Sequence, residues 1–287
     1  MSVIAHPSTT LPVPTAEIAR IEIDLLLEAI FRRYGYDFRD YMRETIDRRI
    51  EQFQDEYGIT TLSEVLGRVL REPTLFFSLI AYFSINVTAL FRDPFVYEAL
   101  RRHVMPMLRT WPHIKIWDAG CATGEEVYSV AIMLFEEGLL GRTVIYATDI
   151  NASALETAKA GIYPLNIIQQ GSRNYQESGA KSTFSDYYFA QQNAAIIDTR
   201  LRKNITFARH NLAMDASFGE MQVVICRNVL IYFNNDLQNH VLEMFWDSLE
   251  NGGFLCLGDK ETIAYTSVAD RFEVVDNKAK IYKKRML

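Results

Sequence analysis

The chain has 287 residues, a formal net charge of −6, 49% hydrophobic and 23% charged residues, enough for one large or two smaller domains with a sizeable core. A pI near 5.5 argues against a general nucleic-acid binder, which needs clustered Lys and Arg. No stretch is long and apolar enough to span a bilayer, so no direct membrane insertion is expected.

Residues 1–16 mix Pro, Ser and Thr without a basic start or an apolar run, and read as a flexible tail, not a signal peptide. Residues 17–85 read as a helical domain. Ile18, Ile21, Leu25 and Ile30 form one apolar face, Ile46, Ile50, Phe53 and Tyr57 a second, and Leu62, Val65, Leu66 and Val69 a third. Pro73 starts a fourth helix carrying Leu75, Phe76, Leu79, Ile80 and Phe83. From Glu17 to Ile85 there are nine Arg, no Lys and thirteen acidic residues. Arg39 and Arg43 share a face, with Arg32, Arg33, Arg48 and Arg49 nearby; a solvated face and a docking patch for an acidic helical partner are both open readings.

Residues 86–111 read as a linker and a connecting helix, with Asp93 as N-cap and Pro94 in the first turn. Residues 112–287 alternate strands and helices, which implies a doubly wound, mostly parallel sheet. Candidate strands are Ile114 to Trp117, Val144 to Thr148, Ile205 to Ala208, Val223 to Cys226, Phe254 to Leu257, Phe272 to Val275 and Ala279 to Lys283. Candidate helices are Glu126 to Gly138, Ala152 to Ala160 and Asn235 to Leu249. The rhythm breaks after Tyr163, and a small antiparallel insert is expected at about 168–204. Cys121, Cys226 and Cys256 are widely spaced, read as buried free thiols and point to the cytoplasm. No Cys or His pair has metal-ligand spacing, so no metal is expected.

The chemistry concentrates in a few places. Gly120-x-x-x-Gly124 stands between a strand and a helix, the opening unit of a nucleotide-binding α/β fold, but lacks the spacing that seats a dinucleotide pyrophosphate. Glu125 and Glu126 stand where that helix begins and would repel a phosphate. A nucleoside without phosphate, carrying positive charge, is indicated; S-adenosylmethionine fits. Asp149 ends the second strand, either as a turn residue or as the acceptor of two ribose hydroxyls. Asn211 and Leu212 follow the third strand, where an amide and an apolar neighbour would read and cover an adenine; Asn is also a common turn residue. Arg227, Asn228 and Tyr232 leave the sheet at its carboxyl edge, where α/β ligands bind. Asn86, Thr88 and Arg92 lie on the segment between the two parts.

Together these segments resemble the chemoreceptor glutamate methyltransferases of bacterial chemotaxis (the CheR type). The pieces are Asn86-x-Thr88-x-x-Phe91-Arg92, Gly120-Cys121-Ala122-Thr123-Gly124-Glu125-Glu126-x-Tyr128-Ser129, Ala147-Thr148-Asp149-Ile150, Ala160-Gly161-Ile162-Tyr163, Asn211-Leu212, Cys226-Arg227-Asn228-Val229-x-Ile231-Tyr232-Phe233 and the terminal Lys280-Ile281-Tyr282-Lys283. The resemblance implies an all-α N-terminal domain, then a Rossmann-like methyltransferase domain carrying a small inserted antiparallel β-subdomain. It implies methyl transfer from S-adenosylmethionine to glutamate carboxylates on a chemoreceptor's cytoplasmic helices, giving methyl esters and S-adenosylhomocysteine. By motif, Asn86, Thr88, Arg92, Gly120, Glu126, Asp149, Asn211, Leu212, Arg227 and Asn228 would bind the cofactor, and Arg92 and Tyr232 would lie nearest the transferring methyl. A cytoplasmic monomer recruited to receptor arrays is expected.

Two departures stand out. The family's Thr-x-Phe-Phe-Arg is here Thr88-Ala89-Leu90-Phe91-Arg92, and Phe189 to Ala195 leaves little room for a glycine-rich hairpin loop. In some relatives that subdomain captures a receptor's C-terminal peptide by strand addition. A cofactor-binding signalling module, or a methyltransferase with another substrate, is the alternative. An NAD-dependent oxidoreductase is disfavoured by the glycine spacing and the two acids.

Overall fold

The computed structural model describes residues 15–84 and 88–286. Of the expected tail only Thr15 and Ala16 fall inside it, and they open the first helix. The candidate ligand Asn86 lies outside the described residues.

Four helices form the N-terminal part: α1 (Thr15–Tyr34), α2 (Arg43–Tyr57), α3 (Leu62–Arg71) and α4 (Pro73–Phe83). The Thr61 hydroxyl caps α3 by accepting from Glu64 N at 3.2 Å, and Pro73 stands in the first turn of α4. Their core gathers Ile46, Ile50, Phe53, Val65, Val69, Leu75, Phe76, Leu79, Ile80 and Phe83. The face expected of α1 holds only at Ile30. Ile18, Ile21 and Leu25 are 47%, 50% and 54% exposed, while Ile23, Leu26, Leu27 and Ile30 are buried. Helix α1 is apolar on two sides, and the i, i+3, i+4, i+7 set from Ile23 is the one that packs inward.

The next segment is one bent rod: α5 (Pro94–Ala99), a π-helical turn (Leu100–Val104) and α6 (Met105–Leu108). Pro106 cannot donate a backbone hydrogen bond and crowds the carbonyl four residues earlier, and the widened turn relieves this. In chain order there follow β1 (Ile114–Ala119), α7 (Glu125–Glu136), β2 (Thr143–Asp149), α8 (Ala152–Ala160), β3 (Ile162–Pro164), α9 (Leu165–Glu177), β4 (Tyr188–Gln191), β5 (Ala194–Ile197), α10 (Thr199–Arg202), β6 (Ile205–Arg209), β7 (Met221–Cys226), α11 (Asn235–Ser248), β8 (Leu249–Leu257), β9 (Phe272–Asp276) and β10 (Ile281–Lys284).

The seven-stranded sheet runs β6-β2-β1-β7-β8-β10-β9. The first five strands are parallel, and β10 runs antiparallel to both β8 and β9. Period-two alternation sorts the central strands between two cores. Val223 and Ile225 face one with α7, and Val224 and Cys226 face the other with α11. The small antiparallel sheet, β3-β5-β4, takes its first strand from Ile162–Pro164, ahead of the 168 boundary expected from sequence. Only Gln192 and Asn193 join β4 to β5, with Gln192 at φ 53°. The three cysteines are buried and free.

The helical part is seated on the loop after β7. Asn234 N donates to Asp40 O at 2.9 Å and Met42 N donates to Tyr232 O at 2.8 Å. Tyr41 pairs with Phe233 as an isolated antiparallel bridge. Asn151 Nδ2 donates to Ser84 Oγ at 2.8 Å, and Arg209 Nη1 donates to the Tyr36 hydroxyl at 3.0 Å.

Candidate active site

The carboxyl ends of β1, β2, β6 and β7 open on a cleft that the helical part roofs with Tyr41, Phe83 and Ser84. Counting its mouth and the solvent open to it, the cleft encloses about 890 Å³.

Its floor is the glycine turn. Gly120 has φ +86°, and a Cβ there would stand 2.5 Å from Val229 Cγ2. Gly124 has φ +93°, and its Cβ would meet Ala158 Cβ at 2.8 Å. Both need positive φ and a bare backbone, which glycine alone supplies. Trp117 Nε1 donates to Thr148 Oγ1 at 2.8 Å, pinning β1 to β2 beneath the turn. Helix α7 then opens with two acids. The buried Glu125 accepts from the Thr123 hydroxyl at 2.6 Å, and burial raises its carboxyl above the ordinary range. Glu126 faces the cleft and pairs with Arg227.

Asp149 is buried at the end of β2. One carboxylate oxygen accepts from Ala122 N at 2.9 Å and the other from Asn151 N at 2.8 Å. Burial raises its pKa more than these N–H groups lower it. Each oxygen keeps a further lone pair for a ligand hydroxyl. Asn211 lines the cleft, but its Oδ1 accepts from Ala213 N at 3.0 Å. Its turn role is thus realised, and the amide NH₂ and one carbonyl lone pair are left for a ligand. Leu212 is buried in the wall.

Arg227 lines the cleft with its guanidinium already engaged. It pairs with Glu126 and with Asp93 at 2.7 Å, and donates to Arg92 O at 3.2 Å. This bears on the reading of Asp93. It stands at the N-cap position of α5 with Pro94 in the first turn, as expected, but at φ 57° and without a side-chain cap bond; its carboxylate serves Arg227 instead. Phe91 and Asp93 both hold positive φ and flank Arg92, local strain of the kind that gathers at functional sites. Phe91 N donates to Ser129 Oγ at 2.8 Å, which fixes this segment on α7. Thr88 and Arg92 both line the cleft.

Asn228 is also left-handed, at φ 61°. Its N–H donates to Glu261 Oε2 at 3.0 Å, and Val229 N donates to Glu261 Oε1 at 2.9 Å. Gly258 N adds a 2.6 Å bond to Oε2. Glu261 is therefore a buried anion around which the loop folds, and this loop sets Tyr232 on the rim. Burial, with the Glu261 charge, raises the Tyr232 phenol more than Arg49, Arg92 and Arg48 pull it down. Of the other arginines of the expected patch, Arg33 lies over the Tyr34 ring and the rest are spent on neighbouring acids. Arg39 pairs with Asp37 and Glu28, Arg43 with Asp24 and Asp47, and Arg32 with Glu28.

Thr88, Arg92, Gly120, Glu126, Asp149, Asn211, Leu212, Arg227, Asn228 and Tyr232 thus surround one cleft. Sequence reading missed Tyr41, Ser84, His210 and Glu261. Tyr41 precedes the loop it meets by almost two hundred positions, and Glu261 follows β8 in a turn with no periodicity; neither carries a local signal.

The cleft suits a cationic nucleoside. Two acids stand at the N-terminus of α7 where a phosphate would need donors. Ile150, Leu212, Val229 and Phe233 offer apolar cover for a base. Bare backbone at Gly120 lets a ligand approach closely. A doubly wound sheet with an acid ending β2 and a non-phosphate glycine turn defines an S-adenosylmethionine-dependent methyltransferase. Residues 21–84 match the family described as CheR methyltransferase, all-alpha domain, and residues 86–281 match CheR methyltransferase, SAM binding domain. The chain belongs to the CheR methyltransferase family, and S-adenosylmethionine is its cofactor.

Relatives agree. The Pseudomonas putida protein Cher3 is 50% identical over 264 residues, covering 92% of this chain and 97% of that protein. A chemotaxis protein methyltransferase of Vibrio anguillarum is 32% identical over 259 residues, covering 87% and 91%. Among solved structures, the N-methyltransferase NodS of Bradyrhizobium japonicum with S-adenosyl-L-homocysteine shares 13% identity at a TM-score of 0.34, covering 59% of this chain and 62% of that one. That likeness is too distant to add to the family match.

Proposed function

We propose that the protein methylates glutamate side chains on the cytoplasmic helical domain of a bacterial chemoreceptor, giving glutamate methyl esters and S-adenosylhomocysteine in chemotaxis-type signalling. The observation that carries this reading is that Arg92 and Tyr232 line the same cleft as the residues given to the cofactor. A guanidinium and a phenol hydroxyl there suit a carboxylate substrate.

The chemistry is consistent with that substrate. S-adenosylmethionine, when bound, supplies a methyl group activated by its sulfonium. A glutamate carboxylate is ionised near neutrality, its ordinary pKa being about 4.3, so no general base is required. The one histidine of the wall, His210, has its Nε2 on Ala216 O at 3.1 Å and stands among Trp117 and Phe218. The protein's task is alignment, and orientation alone is worth effective molarities of ~10⁵ M or more. Asp149 would accept the ribose hydroxyls, and Leu212 would cover the adenine while the Asn211 amide donates to it. Glu126 would face the amino-acid end. Thr88, Asn228 and, by its motif position, Asn86 would complete the ligand set. Gly120 gives backbone access, and Arg227 holds Glu126 in place. Arg92 would steer a carboxylate, and the Tyr232 hydroxyl would orient the reacting oxygen.

No helix among the described residues is long and apolar enough to cross a membrane. We read the protein as a cytoplasmic monomer recruited to receptor arrays. The test is transfer of labelled methyl from S-adenosylmethionine to purified chemoreceptor cytoplasmic fragments, scored as base-labile methanol. Base-labile label on at least one fragment is expected. Binding of S-adenosylhomocysteine with no label on any fragment would overturn the substrate assignment.

A further inference from the structure

Tyr41 lies between α1 and α2 yet reaches the cleft of the other domain. Its ring stacks on Phe38 at 4.9 Å and meets Phe233 at the same 4.9 Å. It packs against the core of the helical part and against the α11 side of the sheet at once. The bonds from Asn234 N to Asp40 O and from Met42 N to Tyr232 O hold its backbone on both sides. The ring is therefore fixed twice over.

Its hydroxyl is a different matter. It has no hydrogen-bond partner among the described residues and is not sealed away from space. It stands deep in the wall near the Asp149 carboxylate, whose charge and the surrounding burial keep the phenol protonated far above its ordinary range. A buried-side tyrosine hydroxyl ordinarily finds a partner. Here the neighbouring wall, Asp149 and Ile150, belongs to the end of β2, which our reading of the cleft gives to the ribose.

We propose that the Tyr41 hydroxyl donates a hydrogen bond to the adenosine half of bound S-adenosylmethionine, so that the helical domain itself supplies a cofactor ligand. The inference rests on the cleft being the cofactor site. It goes beyond it in tying cofactor affinity to the seating of the helical domain, since the residue that touches the nucleoside is also the bridge partner of Phe233.

The experiment is calorimetric titration of Tyr41→Phe and wild type with S-adenosylhomocysteine and with 5′-methylthioadenosine, which keeps the adenosine and lacks the amino-acid tail. Loss of one hydrogen bond predicts about fivefold to tenfold weaker binding of both ligands, by the same factor. The melting temperature of ligand-free protein should not move, because the hydroxyl has no protein partner to lose. Wild-type affinity for both ligands in the variant would overturn the proposal. Weakening confined to S-adenosylhomocysteine would also overturn it, by moving the hydroxyl to the tail. Wild-type protein that binds neither ligand would instead overturn the reading of the cleft on which this one rests.

Discussion

Asp40 and Asn234 join the two halves of the molecule through two hydrogen bonds, Asn234 N to Asp40 O at 2.9 Å and Asn234 Nδ2 to Asp40 Oδ1 at 3.0 Å. Asn234 follows Tyr232 by two residues, so the seat of the helical part is also a brace on the loop that carries Tyr232. Asn234 has a second duty as the N-cap of α11, accepting from Leu237 N at 2.9 Å. Asp40→Ala keeps the backbone bond and should cost no more than about 1 kcal/mol of stability. Asn234→Ala should cost about 1 kcal/mol more, from the lost cap. Both should slow turnover several-fold while leaving the KM for S-adenosylmethionine near wild type. Denaturant melts and steady-state kinetics check this; an Asp40→Ala loss exceeding that of Asn234→Ala would reverse the assignment.

Arg227 neutralises a carboxylate from α7 and one from the interdomain segment, with Asp118 buried close by. Asp118 has one carboxylate oxygen without a partner among the described residues. Burial and the Glu126 charge raise its pKa well above the usual range. Removing the guanidinium would leave these acids facing one another in a poorly solvated site. Arg227→Ala should lose about 3–5 kcal/mol of unfolding free energy. Arg227→Lys should recover only part of that, because an ammonium lacks the fork that reaches Glu126 and Asp93 together. Full stability in the lysine variant would show that charge alone matters.

Gly120→Ala tests the floor. The new Cβ meets Val229 on the loop that carries Tyr232, and the positive φ adds about 1–2 kcal/mol of strain. We expect a destabilised protein whose affinity for S-adenosylhomocysteine falls at least tenfold. Gly141→Ala is the control, since a Cβ there meets nothing within 4 Å; equal losses in both variants would mean that the turn is not special.

Asp149 gives a pH signature with opposite signs for folding and binding. Burial holds its pKa above the ordinary carboxylate range. The folded state therefore binds the proton more readily than the unfolded chain. The contribution of this residue to stability is fully present below the unfolded value and is lost as pH rises through the raised one. Ribose hydroxyls need the ionised form, so affinity for S-adenosylhomocysteine should fall as pH is lowered through that same raised value. Titrations followed from neutral pH toward acid should show affinity decreasing. Asp149→Ala should bind weakly with a flatter profile, and an unchanged profile would assign the titration to another group.

The elements with strong local signals were the legible ones. Val223 to Cys226 is apolar on both faces because both faces are covered, and such a run reads as a central parallel strand. Pro73 and the period of α4 announced that helix directly. Helix α1 misled because Ile18, Ile21 and Leu25 form a stripe as regular as the buried one, and only the position of α3 selects between them. Asp93-Pro94 has the form of a helix start, but a buried guanidinium 134 residues away outbids the local cap. The glycine turn and the loop after β7 were visible because the chain itself places them at strand ends. The roof from Tyr41 to Ser84 and the anchor at Glu261 depend on where distant segments land, which no window of sequence reports.

The order of the last three strands has a consequence for synthesis. Strand β9 joins the sheet only through β10, since β10 lies between it and β8. During translation β9 therefore leaves the ribosome before its one neighbour exists. The sheet edge at β8, with Cys256 and Phe254 on it, stays open until Ile281–Lys284 threads between the two. A chain without β10 would carry a cleft already walled by β1, β2, β6 and β7, beside a raw strand edge and a strand with nowhere to bind. Insertion of β10, not formation of the cleft, is then the step that completes the sheet.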